Sequence, residues 1–112
     1  MNRIMIVAAL SVVLARLGSS VAGAADEPAV ALAVREEGFS PKEIEAQAGG
    51  NIRIEITNQT AAAIEFESFD LNRERVIQPG QTVNVYVSGL ETGRYEFFDD
   101  FHQERRGALV VK

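Results

Sequence analysis

Residues Asn51–Asn58 read NIRIEITN. Isoleucine stands at 52, 54 and 56, with Arg53, Glu55 and Thr57 between. Successive side chains of a strand point to opposite faces, so this alternation marks a strand with one buried and one wet face. The pattern returns in Gln81–Ser88 (QTVNVYVS), where Val83, Val85 and Val87 form the apolar row. Ala29–Glu36 (AVALAVRE) and Glu43–Ala48 (EIEAQA) are also strand-like, and GRYEFF and GALVVK close the chain. Turn chemistry separates these runs at Ser40-Pro41, Gly49-Gly50, Asn58–Thr60, Pro79-Gly80, Ser88-Gly89 and Thr92-Gly93. Strands at intervals of roughly ten residues predict an all-β sandwich or small barrel. No segment past the N-terminal region carries a helical period. Asp70–Val76 (DLNRERV) reads as an irregular connection, with a turn of helix as the alternative.

The N-terminal region is of another kind. Asn2 and Arg3 precede an apolar run from Ile4 to Ala15, closed by Arg16 and followed by small residues. That run is about 12 residues long, against the roughly 20 that cross a bilayer. Ala22-Gly23-Ala24 fits a signal-peptidase site, so residues 1–24 are expected to be a cleaved signal peptide and 25–112 one exported, periplasmic domain. Cleavage removes Arg3 and Arg16 from the 11 basic residues and none of the 16 acidic ones, taking the formal charge from −5 to −7. Such a domain is poorly suited to nucleic acid or anionic lipid and better suited to cations or a basic protein surface. The chain has no cysteine. Disulfides, thiol redox chemistry and cysteine nucleophiles are therefore excluded, and the domain is held by its core alone.

Two groups of residues carry candidate chemistry. Glu65 and Glu67 lie two apart on a strand-like segment, so they share a face opposite Ile64 and Phe66. A solvated strand face shows the same spacing. Asp99, Asp100 and His102 put two carboxylates and the chain's one imidazole within four residues, a donor set suited to iron(II), copper(II), manganese or zinc. A surface acidic loop whose histidine caps a turn is the plainer alternative. Arg73, Arg75, Arg105 and Arg106 either offset these acids or are ordinary solvated positions. Tyr86, Tyr95, Phe97 and Phe98 read as sandwich residues.

From Val30 onward the chain resembles a cupredoxin-like domain. The resemblance is carried by GFSPKEIEAQAGGNIRIEITNQT, then EFES, then VIQPGQTVNVYVSGLETGRYEFFDDFHQERRGALVV. It implies a Greek-key β-sandwich of about seven to eight strands. In that family blue copper is held by two histidines, a cysteine and usually a methionine. The corresponding positions here carry Ile64, His102, Asp99 and Arg105, so the resemblance implies no blue-copper centre. The IEFES run followed by an acidic loop resembles the periplasmic cupredoxin-like subunits of bacterial ferrous-iron uptake systems. That likeness implies copper or iron held by Glu65, Glu67, Asp99, Asp100 and His102, a role in iron oxidation before transport, and an iron permease or periplasmic iron-uptake protein as partner. The other reading is a metal-free β-sandwich adaptor working through protein contacts. Because the intense blue band requires a copper–thiolate bond, copper(II) added to the domain is expected to give only a weak, tetragonal-type spectrum. An intense thiolate charge-transfer band in the visible would contradict the reading.

Overall fold

The computed structural model describes residues 27–112; the expected signal peptide, residues 1–24, lies outside the described residues. Nine strands follow in order: β1 (Ala29–Arg35), β2 (Gly38–Ser40), β3 (Glu43–Ala46), β4 (Asn51–Asn58), β5 (Ile64–Ser68), β6 (Arg73–Ile77), β7 (Thr82–Ser88), β8 (Gly93–Asp99) and β9 (His102–Val111). They form a four-stranded sheet, β2-β1-β4-β7, and a five-stranded sheet, β3-β9-β8-β5-β6. β1 runs parallel to β4 and β3 parallel to β9, while the other pairs are antiparallel. The expected all-β sandwich is the observed architecture.

The rows of Ile52, Ile54, Ile56 and Val83, Val85, Val87 meet Ile64, Phe66, Ile77, Phe97 and Leu109 in one core. Phe39 on β2 crosses between the sheets and packs edge-on against Phe97 at 4.9 Å and Phe66 at 6.5 Å between ring centroids. Gly107 permits this packing. A Cβ there would lie 2.6 Å from the Phe97 ring and 2.7 Å from the Lys42 carbonyl oxygen.

Asn58 ends β4 and is fully buried. Its amide nitrogen donates to Ala62 O and Ile77 O, both at 2.9 Å, and its oxygen accepts from the Thr60 N–H at 2.9 Å and hydroxyl at 2.8 Å. With donors and acceptor all used, burial of the amide carries no unsatisfied group. The bonds hold the loop that delivers β5.

The nine strands slightly exceed the expected seven to eight, and β2 and β6 are the two that the sequence did not announce. β2 is only three residues long. β6 corrects the reading of Asp70–Val76 as an irregular connection. Asn72, at φ 58°, turns the chain, and Arg73–Ile77 then pairs along the whole of β5. β6 is an edge strand on which only Ile77 is buried, so it has no apolar alternation to reveal it. Its arginines close the open seam of the sandwich: Arg73 Nε donates to Tyr86 O at 3.1 Å and Arg75 Nη1 to Asn84 O at 3.3 Å. Tyr86 and Asn84 lie on β7, the edge strand of the other sheet, so two carbonyls that an edge would leave free are covered.

Candidate metal centre

Alternation along β8 decides where the acidic loop points. Phe97 faces the core, so Asp99 does too, and the side chain of Asp99 is fully buried. Both its oxygens are engaged. Oδ1 accepts the N–H groups of Glu65 and Phe101, each at 3.0 Å. Oδ2 receives Arg105 Nη1 at 3.0 Å. Arg105, 5% exposed, also donates from Nη2 to Glu36 Oε1 at 3.1 Å and from Nε to Glu36 O at 3.3 Å. Glu36 Oε2 in turn accepts the Ala61 N–H at 2.9 Å. One buried ion pair thus ties together the β1–β2 turn, the loop before β5, the start of β5 and the β8–β9 turn.

These positions do not suit the copper that the fold family implies. Ile64 is apolar and fully buried, and Asp99 is already neutralised by a guanidinium. A metal cation beside Asp99 would meet the fixed positive charge of Arg105 in a low-dielectric interior. Arg105, which the sequence left as either an offset to the acids or an ordinary solvated position, is thus an internal counter-ion.

A second group forms on the outer face of the five-stranded sheet. β5 lies beside β8, with Glu67 in register with Phe98, and Asp100 N donates to Glu65 O at 2.8 Å. Glu65, Glu67 and Asp100 each bring a carboxylate oxygen into a group whose members all lie within 4.8 Å of one another. Glu74 joins from β6, where it is the register partner of Glu67. Among the described residues none of the ion pairs involves these four carboxylates; Asp100 Oδ1 accepts only from the Gln103 amide, at 2.8 Å. Partial burial pushes the Glu65 carboxyl up to about 7, aided by a hydrogen bond with Glu74 and by the charges of Glu74, Glu67 and Asp100. The Glu67 carboxyl is raised by the same burial and by Glu74 and Asp100. Crowded carboxylates without a counter-ion are a hard-oxygen donor set for a cation.

Of the five expected ligands, the structure brings Glu65, Glu67 and Asp100 together. Asp99 is corrected to an inward anchor, because period-two alternation sends neighbouring Asp99 and Asp100 to opposite faces. His102 is half exposed and lies on the Asp99 side, its Nδ1 3.7 Å from Asp99 Oδ2, outside the three-carboxylate group. Glu74 was not anticipated, since its segment was not read as a strand. The available signal was the length of chain between EFES and RERVI, which suits an antiparallel hairpin.

The fold and the matched residues settle the class. Residues 4–111 match the cupredoxin-like domain family, and the chain belongs to it. The uncharacterized protein RP394 of Rickettsia prowazekii (strain Madrid E) is 33% identical over 82 residues, which is 73% of this chain and 66% of that protein; the chain thus spans just under two thirds of that relative's length. A purple cupredoxin from Nitrosopumilus maritimus shares the fold at TM-score 0.59 and 18% identity, over 73% of this chain and 98% of its own. The metal-binding domain of the Streptococcus pneumoniae Cu(I)-exporting P-type ATPase CopA, solved with Cu(I), aligns at TM-score 0.68 and 20% identity, over 75% of this chain and 84% of its own.

Two outcomes follow from this geometry. Arg105→Met leaves a buried carboxylate unpaired and is expected to cost about 3–5 kcal/mol in urea unfolding. Adding Asp99→Asn keeps an oxygen for the Glu65 and Phe101 amides while removing the charge. The double variant is therefore expected to be more stable than Arg105→Met alone, and equal or lower stability would contradict the pairing. The second outcome concerns pH. Glu65 titrates near 7 when folded and at its ordinary 4.5 when unfolded. Between these values the folded protein holds a proton that the unfolded chain has released, so stability of the metal-free protein falls as pH rises through this window and levels off above it. Glu74→Gln should make that slope shallower, as read by thermal unfolding from pH 4.5 to 8; an unchanged slope would remove Glu74 from the group.

Proposed function

We propose that this chain is a periplasmic metal-binding accessory of a ferrous-iron uptake system, holding copper(II) or iron on the outer face of its five-stranded sheet. Glu65, Glu67 and Asp100 are the ligands, with Glu74 at their side. The observation that carries the reading is the convergence of three carboxylate oxygens within 4.8 Å, with no cationic side chain paired to them among the described residues. Membership of the cupredoxin-like family and the fold shared with a Cu(I)-bound domain support a metal-related role. An all-oxygen site favours harder ions, so it would hold ferric iron more tightly than ferrous iron. It would also release its ion more readily than a thiolate site, as a carrier handing iron to a permease or a periplasmic iron-uptake protein must. The second reading, a metal-free adaptor, is favoured by the exposed aromatic rings beside the carboxylates.

Calorimetric titration of the domain with copper(II), manganese(II) and, under anaerobic conditions, iron(II) tests the site. Glu67→Gln and Asp100→Asn should each weaken binding. The pair should depart from additivity by about 0.5–3 kcal/mol, because the two ligands share one ion. His102→Ala should have the smaller effect. A wild-type domain without metal affinity, or one unchanged by Glu67→Gln, would contradict the metal reading. Loss of radiolabelled iron uptake on deleting the gene, with rescue by wild type but not by Glu67→Gln, tests the assignment to iron transport.

A further inference from the structure

The outer face of the five-stranded sheet has no second layer: among the described residues every strand belongs to the two sheets, and none packs over it. It nevertheless carries large apolar groups. Phe69 is 77% exposed, Phe101 51% and Val76 46%. Val76 is the register partner of Glu65, so an apolar side chain borders the carboxylates, and Phe101 is exposed in the turn that carries Asp100. Phe69 is also held. Its ring packs against Phe98 at 5.4 Å between centroids, and the Arg106 guanidinium lies 4.9 Å from the Phe98 ring centre. A hollow of about 240 Å³ opens beside it, lined by Glu67, Ser68, Phe69, Asn72, Arg73 and Glu74.

Charge selects the occupant. Arg73 also lines the hollow, but none of the nearby cations is in an ion pair with Glu65, Glu67, Glu74 or Asp100 among the described residues. Arg73 donates to Leu71 O, Asn72 O and Tyr86 O. Arg94 pairs with Glu43 and Glu96, and Arg106 stacks on Phe98. The carboxylates at the hollow keep no such partner. A second copy of the chain would bring the same acidic face and be repelled, and an anionic lipid surface would be repelled too.

We propose that this face docks a partner protein through a lysine or arginine set between apolar residues. The stem of that side chain lies along the Phe69 ring, and its charged end enters the hollow between Glu67 and Glu74. Phe69 and Phe101 supply apolar area at little entropic cost, and the carboxylates supply the specificity. The proposal does not require a metal. If the carboxylates do hold one, Glu67 is shared, and metal and partner weaken each other by the same factor.

The test is a chemical-shift titration of the ¹⁵N-labelled domain with the peptide acetyl-Leu-Arg-Leu-amide, using acetyl-Leu-Glu-Leu-amide as the control. Shifts confined to residues 65–76 and 98–101 are expected for the arginine peptide alone, fading with added salt. Phe69→Ser and Glu74→Gln should each weaken binding by roughly five- to tenfold, with the spectrum otherwise native. Equal binding of the glutamate peptide, shifts on another face, or binding unaffected by both variants would overturn the proposal. So would self-association in sedimentation that Phe69→Ser abolishes, since the occupant would then be a second copy. Metal titration of the peptide-free domain separates the two readings. Peptide binding without metal binding keeps the docking face and removes the metal centre; metal binding without peptide binding does the reverse.

Discussion

The buried pair of Asp99 and Arg105 is the constraint on which this end of the molecule depends. Taking a carboxylate and a guanidinium out of water is costly, and a buried pair persists only where further hydrogen bonds use the remaining lone pairs and protons. Here they are used. The Asp99 oxygens take the Glu65 and Phe101 amides as well as the guanidinium, and Arg105 reaches on to Glu36. Because Asp99 holds the backbone of Glu65 and sits next to Asp100, the positions of two outer carboxylates are set from inside the sheet. The inner charge is neutralised within the chain, while the outer carboxylates are in no ion pair among the described residues.

One residue separates those fates. Asp99 and Asp100 are chemically alike, yet the single step from the last residue of β8 into the turn moves the carboxylate from the core to the surface. Inside, a fixed guanidinium stands where a metal ion would have to go, at a position that the family resemblance assigns to a ligand. Outside, partial burial, aided by the hydrogen bond with Glu74 and the neighbouring carboxylates, raises the Glu65 carboxyl to about 7. The chain has the cupredoxin-like fold, with its neutralised carboxylate on the inner face of the sheet and its crowded carboxylates on the outer face.

Much of the fold was legible because its signals are local. The isoleucine row of β4 and the valine row of β7 announce half-buried strands, and Asn58 marks the end of one by its capacity to satisfy a loop. The ligand set that the family resemblance implies needs EFES and the acidic loop in one place, and β5 does lie beside β8. β6 was not legible, since an edge strand built from Arg73, Glu74, Arg75 and Val76 buries too little to impose a pattern. That omission hid Glu74 and the role of Arg73 and Arg75 in covering the edge of β7. Asp99 was misplaced for a different reason. Reading Asp99, Asp100 and His102 as one loop set aside the alternation that β8 carries through Asp99. Arg105 could not be assigned at all, because its partners, Asp99 and Glu36, come together only in the folded chain.

The central claim is that the interior position belongs to the chain's own guanidinium and that any metal sits on the outer face. Diffraction from crystals of the domain grown with manganese(II), with anomalous scattering used to locate the ion, tests it most directly. The account predicts an anomalous peak bounded by Glu65, Glu67 and Asp100, with the Asp99–Arg105 pair intact. A peak at Asp99 with Arg105 turned away, or none beside Glu65 at saturating manganese, would contradict it.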